Sequence, residues 1–456
     1  MKGYYRIIRH RMSYKQKVIK TLRVKNQQQI GVLDKVIHAI ASQGGDIGDI
    51  RTLSVGTFHT LRDITVICNN DAQLQQIVKA VQAVKETHLE EVIDEVMESH
   101  RGGKIAITPR YPVKSIEDLR KVYTPGVASI SKMIQSDPAT AREFTGIGTT
   151  VAICTNGSRV LGLGNIGPVA ALPVMEGKAA LFTQFSGLNM VPILIDTLDP
   201  EKFVETVCAI AGGYSAIQLE DIQTPDCFEI EDELIKRLSI PVMHDDQHGT
   251  AVVSLAAVLN ACRIVKMDLK KATVGQIGLG AAGSAIARLI MTYTGKAVIG
   301  EDPNPLASRR FMSMGGVTAA SVDEIMKKAD VVVSTTGQAG LIKPEMVRKG
   351  QIILALSNPY PEISIEDATK AGAGFASDGS RVNNLLGYPG ILKGAILAGA
   401  KKMTTEMYIA AAEAIVRHTP EKELVPDPLD SALHDRVAKS VAEAAVRPGA
   451  PIAGPS

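Results

Sequence analysis

Two pairs of adjacent acids mark the chain: Glu220-Asp221 in "QLEDI" and Asp245-Asp246 in "PVMHDDQHGTA". Each follows a short apolar run, which reads as a buried strand ending in polar residues. Carboxylates gathered at the carboxyl edge of a sheet make a hard oxygen site, suited to Mg²⁺ or Mn²⁺ with open positions for substrate. Solvated loop acids and helix N-caps are the plain structural alternative. A third candidate is Lys178 in "ALPVMEGKAALF". Apolar neighbours on both sides suggest partial burial, which lowers an ammonium pKa towards that of a usable base.

"HDDQH" also sets His244 and His248 four residues apart, the spacing of a zinc-protease pair. That chemistry needs both histidines on a helix and a Glu in second place. Here the stretch leaves a strand after Pro241, carries Asp instead, and runs into Gly249. The spacing alone therefore argues little for a zinc hydrolase.

Two G-x-G-x-x-G turns compete for a dinucleotide: Gly162, Gly164, Gly167 and Gly278, Gly280, Gly283. Context decides between them. The second follows the strand-like "ATVGQI" and opens a proline-free helix at Ala281 and Ala282, whose backbone N–H groups and dipole can face a pyrophosphate. Asp302, with Glu301, ends the next strand at the distance from which a ribose hydroxyl is held. After the first turn, Pro168 and Pro173 argue against a long helix. The cofactor is assigned to 278–283. Glu301 and Asp302 repel a 2′-phosphate and favour NAD, whereas Arg309 and Arg310 would serve NADP if their loop folds back.

The elements that must position these groups follow from periodicity. Residues 17–94 read as βαββαβ, the order of a ferredoxin-like unit. From 148 onward apolar strands alternate with helices, first "TTVAICTNG", "VPILIDT", "SAIQLED" and "IPVMHDD", then from 272 a second series of the same kind. This is parallel α/β architecture, whose sites lie at the carboxyl ends of strands. The expected divisions are 1–96, a small regulatory domain; 97–260, a metal-binding catalytic domain; 261–395, a Rossmann-type domain; and 396–456, helices and a tail that pack back on the catalytic domain.

Composition narrows the class. A net charge of +2 over 456 residues, with no sustained basic stripe, argues against nucleic-acid binding. Lys2 to Lys25 is basic, but no apolar stretch follows it as a signal peptide requires. No run of about 18 apolar residues suggests a membrane span. Five scattered cysteines, without C-x-x-C spacing, suit reduced thiols and a cytoplasmic location.

Taken together, "VYTPGVA" (122–128), "VLGLGNIGPVAALPVMEGKAALF" (160–182), "QLEDIQTPDCF", "PVMHDDQHGTA", "GLGAAGSA", "LSNP" and "NNLLGYPG" (383–390) resemble malic enzymes of the bacterial type. The stretch "NQQQIGVLDKVIHAIASQGGDIGDI", with Gly31 opening its helix, resembles an ACT domain. The first resemblance implies oxidative decarboxylation of L-malate to pyruvate and CO₂, with malolactic conversion to lactate as the alternative. It implies Tyr123 as general acid, Lys178 as general base, and Glu220, Asp221 and Asp246 as metal ligands with Asp245 beside them. It further implies Asn358 near the nicotinamide, and Arg159, Asn383 and Asn384 near the substrate. The second implies a small-molecule effector, and both imply a homodimer or higher oligomer.

Overall fold

The computed structural model describes residues 17–160 and 162–447. The basic stretch before Lys17, Leu161 of the first glycine turn and the tail from Pro448 lie outside the described residues. The chain divides into two compact units, 1–104 and 105–456.

In the first unit β1 (Val18–Gln27), α1 (Val32–Ser42), β2 (Asp46–Val55), β3 (His59–Cys68), α2 (Asp71–Gln82) and β4 (Thr87–Ile93) follow one another. The sheet order is β2-β3-β1-β4, and the described pairings are antiparallel. This is the ferredoxin-like arrangement. Gly31, at φ 86°, starts α1 in a left-handed conformation that only glycine adopts freely. The Asn70 side chain accepts from Gln73 N–H and caps α2. Val36 and Ile40 of α1 and Ile77 and Val81 of α2 then meet Leu22, Val24, Ile64 and Val66 of the sheet. A short helix, α3 (Glu95–His100), closes the unit and is tied to β1 by ion pairing of Lys20 with Asp94.

The second unit opens with three short helices, α4 (Ile116–Val122), α5 (Val127–Ser136) and α6 (Ala141–Phe144). No residue between Ile105 and Thr149 is buried, although Ile107, Ile116, Leu119, Val127 and Phe144 are large and apolar.

The first α/β half then runs β5 (Thr150–Thr155), α7 (Gly167–Ser186), β6 (Asn189–Leu194), α8 (Pro200–Ile210), β7 (Ala216–Leu219), α9 (Asp226–Arg237), β8 (Val242–His244) and α10 (Thr250–Val265). Its four strands are parallel in the order β6-β5-β7-β8.

The expectation that Pro168 and Pro173 prevent a long helix is wrong. α7 spans 20 residues through both prolines. Pro168 lies in the first turn, where an N–H has no partner to lose. Pro173 sits inside and costs about 3 kcal/mol. Burying Met175, Phe182 and Phe185 on one face returns roughly 2 kcal/mol each. Packing therefore overrides the local rule. The segment Asp245–Val265 is long and apolar enough to cross a membrane, but 67% of it is buried inside the protein as core.

The second α/β half adds β9 (Val274–Ile277), α11 (Ala281–Thr294), β10 (Ile299–Glu301), α12 (Pro305–Ser313), β11 (Val317–Thr318), α13 (Val322–Lys328), β12 (Val331–Ser334), β13 (Ile352–Ala355), α14 (Ile365–Lys370) and β14 (Phe375–Asp378). The parallel order β11-β10-β9-β12-β13-β14 is 3-2-1-4-5-6, that of a Rossmann sheet. Helices α15 (Tyr388–Leu397), α16 (Thr405–His418) and α17 (Ser431–Ala445) are the last elements among the described residues. Gly394 lets α15 and α17 approach closely, since a Cβ there would lie 2.4 Å from Ala438 O.

Candidate active site

Two neighbouring parallel strands of the first α/β half deliver acids at their carboxyl ends. Glu220 and Asp221 follow β7, and Asp245 and Asp246 follow β8. Glu220, Asp221 and Asp246 each present an oxygen within 4.8 Å of the others. Asp221 holds φ 54°, a left-handed geometry uncommon outside glycine. Its N–H donates to Asp246 Oδ2 at 3.0 Å, and Arg159 N–H donates to its carbonyl at 3.0 Å. The loop after β5 is thereby fastened to the cluster. The Arg159 side chain itself is exposed.

Lys178, on α7, lies 2.6 Å from Glu220 Oε1 and hydrogen-bonds Asp245 Oδ2. Burial pulls its ammonium pKa down, as the sequence suggested. The carboxylates of Asp245, Glu220 and Asp246 outweigh that and hold it well above its ordinary value. The expected lowering is therefore corrected. Apolar neighbours along α7 are legible in sequence; acids brought in by β7 and β8 are not.

Four carboxylates face one ammonium, so the acids carry the strain. Burial, then the charge of Asp246, pushes Asp221 up to about 7. Burial and the neighbouring acids also raise Glu220 well above the usual carboxylate range, against the pull of Lys178. Asp221 Oδ2 is buried without a hydrogen-bond partner among the described residues. Crowded, buried and under-satisfied carboxylates fit a divalent cation, which removes both the repulsion and the orphaned oxygen.

The other expected residues are placed as follows. Asn384 donates to Asp245 Oδ2 at 3.0 Å, so it supports an acid of the cluster. The Asn383 side-chain oxygen accepts from Leu385 N–H and shapes the turn before α15. Asn358 is exposed just beyond the carboxyl end of β13. Tyr123 caps the end of α4, is 67% exposed, and has no hydrogen bond to Lys178 or the acids. The structure does not bring it to the cluster.

Two contributors were missed. Tyr388 donates from its hydroxyl to Lys178 O at 3.0 Å, and its ring lies 5.3 Å from the Lys178 ammonium. Its place in "NNLLGYPG" was the available signal. Gln218 donates to Glu220 Oε2 at 2.9 Å from the preceding strand.

The second glycine turn has the form a pyrophosphate needs. Gly278 takes φ 85°, and Gly280 caps α11, leaving the first N–H groups at Ala281 and Ala282 directed past the helix end. Gly283 is packed so tightly that a Cβ would lie 1.9 Å from Gly278 O. Asp302 departs from expectation, because its Oδ2 accepts Leu279 N–H at 2.7 Å and so braces the glycine turn. Arg310 donates to Leu279 O at 3.0 Å and stacks 3.5 Å from the centre of the Phe228 ring. It is engaged beneath the turn, whereas Arg309 is exposed.

The histidines of "HDDQH" do not form a metal pair. The His244 ring is buried with neither nitrogen hydrogen-bonded, and His248 Nε2 lies 3.0 Å from Glu231 Oε2. The metal-compatible cluster among the described residues consists of carboxylates only.

Residues 102–235 match the family description of the malic enzyme N-terminal domain, and 243–340 that of the NAD-binding domain of D-isomer specific 2-hydroxyacid dehydrogenases. The chain is 51% identical over 430 residues to NAD-dependent malic enzyme 1 of Bacillus subtilis, covering 94% of this chain and 98% of that one. It is 40% identical over 373 residues to the bifunctional malic/malolactic enzyme of the same organism, covering 76% and 91%. The crystal structure of malic enzyme from Pyrococcus horikoshii superposes with a TM-score of 0.72 at 39% identity, over 77% of this chain and 90% of that one. With its acid cluster at the strand ends and a near full-length relative at this identity, the chain belongs to the malic enzyme family.

Proposed function

We propose that this protein catalyses divalent-metal-dependent oxidative decarboxylation of L-malate to pyruvate and CO₂, with NAD as hydride acceptor. The observation that carries the reading is Lys178 held between Glu220 and Asp245, beside three converging carboxylates. Glu220, Asp221 and Asp246 would hold Mg²⁺ or Mn²⁺, which supplies Lewis-acid polarisation of the C2 oxygen. Lys178 would take the C2 hydroxyl proton, and bound NAD would supply the hydride acceptor. A cation held by Glu220, Asp221 and Asp246 would remove part of what raises the Lys178 pKa, leaving Asp245, the largest raising partner, to oppose burial. Asp245 and Asn384 orient Lys178 from one side, and Tyr388 anchors its backbone. Tyr123 is the donor that returns a proton to C3. For that it must reach the site by closure of the 105–149 segment or from a second copy.

NAD is favoured over NADP because Arg310 is committed to Leu279 and Phe228, while the acidic Glu301-Asp302 pair at the end of β10 would repel a 2′-phosphate. The adenosine ribose and pyrophosphate fall to Gly278–Gly283, with Asn358 at the nicotinamide end and Arg159 and Asn383 towards malate.

A homo-oligomer is supported by the unburied apolar side chains of 105–149. The ACT-like unit is read as regulatory. Its βαββαβ topology supports this, as does a cavity of about 250 Å³ around Gln27–Leu33, floored by buried Asn26 and flanked by Arg62. A small effector there would act on turnover.

The test is L-malate with Mn²⁺ and NAD or NADP, following NADH or NADPH at 340 nm alongside product analysis. Equal NADH and pyruvate, abolished by EDTA, is expected. Lactate without net NADH would assign the malolactic reaction instead. No product from folded protein would overturn both.

A further inference from the structure

Asp245 and Asp246 leave β8 on a turn that is neither strand nor ordinary helix. Residues Asp245–Gly249 form one π-helical turn, and Thr250 N–H reaches back to Asp245 O. The turn is tight on its inner side, where a Cβ on Gly249 would lie 1.9 Å from Asp245 Oδ1. Such wide turns are rare and frequent at functional sites, and this one has outside support.

That support comes from α9. Glu231 is 1% exposed, and both of its carboxylate oxygens are spent on this one segment. Oε1 accepts His244 N–H at 2.7 Å. Oε2 accepts Gln247 Nε2 at 2.9 Å and pairs with His248 Nε2 at 3.0 Å. His248 is held further by stacking on buried Tyr408, with centroids 4.7 Å apart and planes within 3°. The acids between these anchors are engaged elsewhere, Asp245 with Lys178 and Asn384, Asp246 with Asp221.

We propose that Glu231 is a positioning residue for the acidic site. By gripping His244, Gln247 and His248, it imposes the turn that presents Asp245 to Lys178 and Asp246 to Glu220 and Asp221. This also gives the His248 ring of "HDDQH" a role as a turn anchor, whereas His244 is held through its backbone N–H. The inference rests on the reading of Glu220, Asp221 and Asp246 as cation ligands.

The test is Mn²⁺ binding to the full-length protein, read by electron paramagnetic resonance of free Mn²⁺, beside NADH binding read by fluorescence. Glu231→Leu keeps the volume and removes the acceptors; Mn²⁺ binding should weaken at least tenfold while NADH binding stays within twofold. Glu231→Gln should restore Mn²⁺ binding to within about threefold of wild type. Its oxygen can take His244 N–H, and Gln247 and His248 can reverse their polarity. If Glu231→Leu does not fold, Gln247→Leu, which removes one anchor, should weaken Mn²⁺ about threefold. Wild-type Mn²⁺ affinity in folded Glu231→Leu, or in Gln247→Leu when the former does not fold, overturns the proposal. So does a parallel loss of NADH and Mn²⁺ binding. Asp246→Asn separates the two readings, since it should abolish Mn²⁺ binding. If wild type binds no Mn²⁺, both readings fall; if wild type and Glu231→Leu bind alike, only this one does.

Discussion

Gly283→Ala isolates the cofactor turn from the acidic site. The added Cβ would sit 1.9 Å from Gly278 O and 2.8 Å from both Gln276 Nε2 and Thr335 Oγ1. Side-chain ends can give way, but the carbonyl cannot move alone. Gly278 is fixed at φ 85°, and its N–H is bonded to Glu301 O at 2.9 Å. Real Cβ atoms essentially never approach closer than 3.0 Å, so α11 and the turn must part by more than 1 Å. Overpacking of this kind costs about 1–3 kcal/mol. If the distortion falls on the pyrophosphate cradle, the NADH dissociation constant rises by about 5- to 150-fold. Mn²⁺ affinity should not change, because the acids belong to the other sheet. Both constants can be measured on one preparation by titration. A folded variant that binds NADH within twofold of wild type would refute the placement of the cofactor at 278–283.

Three further outcomes follow from the same geometry. Lys178→Met should lower kcat by about 10²–10⁴, the range for loss of a general base, with NADH binding retained; near-normal turnover at saturating malate and Mn²⁺ would exclude Lys178 as the base. In the metal-free protein Asp221 titrates at about 7 against an ordinary 3.8, so the folded chain holds a proton that the unfolded chain has lost between those values. Its contribution therefore lowers stability as pH rises from about 4 to about 7, and Mn²⁺ binding should release more protons at about pH 6 than at pH 8, as read by calorimetry in buffers of different ionisation enthalpy. A chain beginning at residue 105 should keep malate turnover and lose any effector response, because 1–104 is a unit with its own core; a folded but inactive truncation would show that the first unit is needed for catalysis.

What sequence reasoning reached, and where it stopped, follows from the range of each interaction. The acid pairs were visible because parallel α/β connectivity brings strand ends together whatever the loops do, and Glu220, Asp221 and Asp246 do converge. The glycine turn at 278–283 was visible because its requirements are local: a positive φ, a helix start and a close approach. The errors arose where a local rule met a distant partner. Pro173 breaks an isolated helix, but α7 is held by the core it packs against. Lys178 looked like a desolvated amine because the acids that surround it come from strands some 40 to 70 residues further along the chain. Asp302 looked free for a ribose, yet folds back onto Leu279 of the preceding turn. Glu231 carried no signal at all, since one of five acids in "DCFEIEDELIKR" reads as helix surface until α9 is seen behind the β8 turn.

The most direct test is anomalous scattering from a crystal grown with Mn²⁺. One peak is expected, bonded to oxygens of Glu220, Asp221 and Asp246 at about 2.0–2.2 Å, the range for small hard cations. A fully occupied ion held elsewhere, at His244 and His248 for instance, would contradict the account.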